Sequence, residues 1–66
     1  MSVYKVIEVI GTSTTSWEDA AANAVKQAGQ TVRDLRVAEV VKQDLHLEDG
    51  TLTYRTKLSL SFKYET

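Results

Sequence analysis

Residues 35–64 read LRVAEVVKQDLHLEDGTLTYRTKLSLSFKY, and this stretch decides the fold. Two alternating runs flank Asp49-Gly50. Such a dipeptide signals a tight hairpin, because a two-residue turn needs positive φ at both central positions. An uninterrupted hairpin then pairs residues whose numbers sum to 99. Leu47 meets Leu52, Leu45 meets Tyr54, Val41 meets Leu58, Val37 meets Phe62 and Leu35 meets Tyr64, all on one apolar face. The other face pairs Asp44 with Arg55, His46 with Thr53, Val40 with Ser59 and Arg36 with Lys63. Because a strand alternates with period two, a slip by one residue would scramble both faces. One pair is unfavourable: Lys42 faces Lys57, with Asp44 placed diagonally to soften the repulsion.

Working outward, residues 3–10 (VYKVIEVI) are β-branched and aromatic and predict a first strand covered in part on both faces. Residues 11–15 form a polar break. Ser16 is the expected N-cap of a helix over 17–32, with Glu18 and Asp19 favourable at its positive end. Trp17, Ala21, Ala24, Ala28 and Val32 recur at helical steps, broadened by Ala20 and Val25. An alanine stripe permits close approach to a sheet but buries little area per residue. Gly29 weakens the last turn by roughly 1 kcal/mol relative to Ala.

The order strand–helix–strand–strand, with a right-handed crossover, places the third strand between the first two. The expected fold is α+β: one βαββ domain over residues 1–66, sheet order 1-3-2, helix on one face. The apolar hairpin face should cover the helix, and the opposite face, with Ala38 and Val40, is a candidate for subunit contact.

Composition narrows the function. A lone core in 66 residues is marginal, and small scaffolds need disulfides, metals or partner subunits. The chain has no Cys, so self-association is the leading remedy. A net charge of −1 gives no reason to expect a nucleic-acid or membrane partner. No apolar run approaches the ~20 residues of a membrane span. Met1-Ser2-Val3-Tyr4-Lys5 opens without a signal-peptide pattern, so the default is a soluble, cytoplasmic protein.

Candidate chemistry is sparse. Gly11-Thr12-Ser13 lies between strand and helix but lacks the further glycines or Gly-Lys-Ser/Thr of phosphate loops, and reads as an ordinary turn. His46, the single histidine, has no positioned nucleophile, so no catalytic residue is assigned and no enzyme is expected. Asp44, Glu48 and Asp49 cluster near the hairpin tip and offer oxygen ligands of the kind Ca²⁺ takes, without EF-hand spacing. Trp17 reads as packing.

The ordered set VYKVIEVIGTS (3–13), SWEDAAANAV (16–25), AEVVKQD (38–44) and TYRTKLSLSFK (53–63) resembles the dodecin family over nearly the whole chain. The resemblance implies a three-stranded sheet wrapped around one helix, and twelve chains in a hollow shell. It implies non-enzymatic storage of a flavin, FMN or riboflavin. In flavin-binding dodecins a Trp before the second-strand Glu-Val sandwiches the ring, and a Gln after the third-strand Tyr hydrogen-bonds it. Here those places hold Val37 and Arg55. Valine offers no π-face, where stacking is worth ~1–3 kcal/mol per ring. Arginine cannot accept a hydrogen bond. A pocket of Val37, Gln43 and Arg55 from neighbouring subunits would therefore hold flavin weakly or not at all. The likeness extends most fully to calcium-type members, which makes a divalent-cation shell the alternative.

Overall fold

The computed structural model describes residues 2–64. Its elements are β1 (Tyr4–Ser13), α1 (Trp17–Gly29), β2 (Leu35–Glu48) and β3 (Thr51–Lys63). The sheet is antiparallel with order β1-β3-β2, as the crossover argument predicts. Asp49 and Gly50 both take positive φ, 51° and 76°, which is the backbone a two-residue hairpin requires.

The sum of 99 holds from Glu48↔Thr51 to Lys42↔Lys57. It then fails. Val40 faces Leu58, Glu39 faces Ser59, Ala38 faces Leu60, Val37 faces Ser61 and Leu35 faces Phe62. The pairs Val41–Leu58, Val37–Phe62, Leu35–Tyr64, Val40–Ser59 and Arg36–Lys63 do not form. Two register shifts cause this, one between Val40 and Lys42 and one between Leu35 and Val37. Each inserts an extra residue, Val41 and Arg36, and each flips the parity of β2. Val37 and Glu39 thus lie on the helix-free face, while Ala38 and Val40 turn to the helix side.

Residues 11–13 are not a break. Gly11, Thr12 and Ser13 continue β1 and pair with Thr56, Arg55 and Tyr54. A Cβ on Gly11 would strike the Ala20 carbonyl and lie 2.8 Å from Ala24 Cβ. Glycine here is a contact requirement of the helix crossing the strand. Ser13 then ties the strand end to the helix start. Its hydroxyl donates to Asp19 Oδ2 at 2.7 Å and accepts from the Thr15 N–H at 3.0 Å. The Ser13 bond first, with side-chain bonds from Thr15 and Asn23, holds the Asp19 carboxyl below its ordinary value.

Ser16 caps α1, accepting from the Asp19 N–H at 2.9 Å. The helix ends at Gly29, three residues short of the expected Val32. The Thr31 and Val32 N–H groups both turn back to the Ala28 carbonyl, at 3.1 and 2.9 Å, and close the chain off there. The buried helix residues are Ala24, of the expected stripe, and Ala20, of its broadened edge.

The core is small. Among the described residues, Ala20, Ala24, Leu58 and Leu60 are the buried apolar ones, and Ile7, Val9, Ala21, Val25, Ala28 and Leu35 edge them. The helix covers β1 and β3. The hairpin face does not cover it along its length, because β2 lies beyond its reach. Val40, Leu45 and Leu47 point to the helix side yet are 51%, 52% and 70% exposed. The molecule extends 49 × 20 × 15 Å with a radius of gyration of 13.4 Å, against about 11 Å for a compact chain of this length. Its accessible surface, 4926 Å², exceeds the about 4,200 Å² of a folded monomer of this mass.

Candidate functional site

The bulge at Val41 decides what the helix-free face presents. Beyond it, towards the hairpin tip, Lys42 and Asp44 stand opposite Lys57 and Arg55. From the other side β1 supplies Ile10, opposite Lys57. These five residues line a cavity of about 130 Å³.

Its firmest contact is the Asp44–Arg55 pair. Arg55 Nε donates to Asp44 Oδ1 at 2.7 Å and Nη2 to Oδ2 at 3.0 Å, a bidentate fork. The hydrogen bonds from Arg55, reinforced by its charge, lower the Asp44 carboxyl below the ordinary 3.8. The same bonds raise the Arg55 guanidinium. Both side chains are only partly covered, so salt and solvent screen the attraction. Lys57 reaches Glu8 of β1 at 3.4 Å.

Behind this face stands Trp17. Its indole N–H donates to the Asp44 carbonyl at 3.0 Å, and its ring meets Tyr54 edge-on with centroids 5.2 Å apart. Thr56, fully buried, donates its hydroxyl to the Trp17 carbonyl at 3.0 Å. Trp17 is thus a packing residue, and it fixes the backbone that carries Asp44 to the head of the helix.

The six site residues expected from sequence fall in different places. Val37 and Arg55 share the helix-free face, since the bulge supplies the parity change. They are still far apart: Val37 faces Ser61, six residues along β3 from Arg55, or ~20 Å at strand rise. Gln43 faces Thr56 and points to the helix side. One protomer therefore does not gather Val37, Gln43 and Arg55 around a ligand. Asp44 and Glu48 share a face, about 13 Å apart along β2. Glu48 lies 3.2 Å from His46 Nε2, with both side chains exposed, and Asp49 occupies the turn. Among the described residues, no three His, Cys, Asp or Glu side chains come close enough to hold a metal ion. Ile10, Lys42, Lys57 and Glu8 were not assigned to the site from sequence. The opposed lysines were the one visible signal.

A half-finished βαββ protomer with an ion-paired open face defines a small assembling module, and comparison with known proteins places it. The dodecin family model matches residues 3–65. The chain is 59% identical over 64 residues to calcium dodecin of Mycobacterium tuberculosis, covering 96% of this chain and 90% of that one. It superposes on the crystal structure of the calcium-chelating M. tuberculosis calcium dodecin with a TM-score of 0.88, at 57% identity and 97% and 93% coverage. Streptomyces coelicolor dodecin matches with a TM-score of 0.90, 38% identity and 98% and 94% coverage. This chain belongs to the dodecin family. No helix among the described residues is long and apolar enough to cross a membrane.

Proposed function

We propose that the protein is a non-enzymatic ligand-binding protein that works as a homododecameric shell, with the flavin site of its family altered so that flavin binds weakly or not at all. One observation carries this reading. Arg55, at the place of the ring-binding Gln, is engaged by Asp44 through both arms of its guanidinium. A flavin would have to displace that fork, and Val37 offers it no ring to stack on. Assembly is supported by the exposed apolar side chains of β2 and β1, which a monomer would leave wet. His46, with only the exposed Glu48 beside it, offers no paired nucleophile and base.

Fluorescence titration with FMN and riboflavin tests this directly. No saturable quenching at micromolar protein is expected. Tight binding with quenching would contradict the altered site and restore flavin storage as the function.

A second reading, a Ca²⁺-binding shell, is favoured by the 59% identity to a protein named calcium dodecin. Asp44, Glu48 and Asp49 are its candidate ligands. They lie strung along the hairpin tip, so carboxylates from symmetry-related copies would have to complete each site. Calorimetry with Ca²⁺ decides it: a saturable heat at or below millimolar supports this reading, and no heat removes it.

A further inference from the structure

The lining of the cavity on the helix-free face is mostly cationic, and one of its cations has no ion-pair partner among the described residues. Lys42 and Lys57 stand directly opposite each other, an arrangement that destabilises a sheet. Arg55 lies two residues along on the same face, so three cations and one carboxylate, Asp44, line the cavity. Asp44 takes Arg55 and Glu8 takes Lys57. No ion pair among the described residues involves Lys42. Of the three cations that line the cavity, Lys42 is the one that no such ion pair engages.

The local backbone singles out the same place. The hairpin register sets Lys42 against Lys57, and the register shift at Val41 follows directly, between Val40 and Lys42. Bulges commonly re-aim a side chain beside a binding site. Ile10 forms an apolar wall on the opposite side of the cavity. A volume of about 130 Å³ has room for several oxygen-sized groups, where a water's share of liquid is roughly 30 Å³.

We propose that this cavity binds a small phosphate-class oxyanion between Lys42 and Lys57, with Arg55 held at its rim by Asp44. The anion turns the like-charge repulsion into two charge-assisted contacts. Asp44 keeps the guanidinium in place and prevents the site from becoming a non-selective cationic patch. The site shares the Asp44–Arg55 fork with the altered flavin pocket, but its test uses no flavin, so failure here and failure of the altered-flavin reading are distinguishable.

Inorganic phosphate and glycerol 3-phosphate are the probes, added to the intact assembly at low ionic strength and followed by phosphorus NMR and thermal unfolding. Saturable line broadening and a rise in Tm with ligand are expected. Stronger binding of the monoester places the phosphate on a larger ligand, and stronger binding of inorganic phosphate makes the free ion the occupant. Lys42→Met removes the charge and keeps the stem. It is expected to raise Tm without phosphate, by relieving the repulsion, and to weaken phosphate binding at least tenfold. Lys42→Gln serves as a second variant with the same expected loss. Lys26→Met, on the exposed side of α1, leaves binding unchanged. The proposal is overturned by wild-type protein that shows no saturable response to either probe. It is equally overturned by Lys42 variants that bind as well as wild type.

Discussion

Strands β2 and β3 are the two arms of one hairpin, 14 and 13 residues long, and β2 carries the more apolar side chains, yet it is β3 that is buried. β3 has a strand on each side and the helix across one face. Thr56, Leu58 and Leu60 are fully buried on it. β2 has one free edge, and along it only Leu35 and Asp44 are even half-buried. Position decides the difference, since composition alone would bury β2 first. The same pattern makes a core where the alanine-lined helix lies against it, and an unfinished surface where the helix does not reach. An exposed edge strand with apolar faces is a hazard in a free monomer. Here it is the surface on which copies of the chain are proposed to meet.

Paired truncations sharpen that contrast most. Leu60→Ala in β3 is expected to cost about 2–5 kcal/mol, because it opens a cavity under the helix. Val40→Ala in β2, measured on dissociated protomers, is expected to cost roughly 0.5 kcal/mol, since the side chain is half in water already. The Val40 variant should instead weaken association. Chemical denaturation followed alongside particle mass separates the two effects, and equal costs in the dissociated protomer would erase the distinction between the strands.

Gly11→Ala comes next. The new methyl meets the Ala20 carbonyl and Ala24, so the helix must lift from the sheet. A loss of about 1–3 kcal/mol is expected, within the range for overpacked sites. Gly29→Ala, where nothing lies near the new methyl, should stabilise the helix by up to about 1 kcal/mol.

Acid gives the mildest effect, on the join between β2, β3 and the helix. Asp44 and Asp19 both have carboxyls lowered from 3.8 in the folded chain. The folded state therefore binds fewer protons than the unfolded one between the two values. Their contribution is complete above the unfolded value and is lost as pH falls through the folded one. Unfolding midpoints should be level from neutral pH to about 5 and decline below 4, the decline shrinking for Asp44→Asn. A flat profile to pH 3 would remove the stabilising role of these bonds.

Much of this was legible in the sequence, and the residues show why the rest was not. Asp49-Gly50, the Ser16 cap and the element order rest on local chemistry, and local chemistry is written in consecutive residues. The bulge at Val41 is hidden because Val40 and Val41 are both β-branched and apolar, so either satisfies the alternation. The sequence shows a pattern with one residue to spare and no sign of which is spare. Gly11 reads as punctuation in the sequence because its reason, the close approach of Ala20 and Ala24 from the helix, is tertiary. The ion-paired face was half visible. Asp44–Arg55 follows from the register, whereas Glu8–Lys57 needs the order of the sheet. The wide spacing of Val37 from Arg55 was legible, since the sum of 99 already sets Val37 opposite Phe62; only their common face depended on the bulge.

The central claim is that β2 is completed by other copies of the chain. Light-scattering mass of the purified protein at micromolar concentration tests it most directly. The account predicts a single species of about 89 kDa, twelve times the 7.4 kDa chain. A folded, monodisperse species of 7.4 kDa would contradict it.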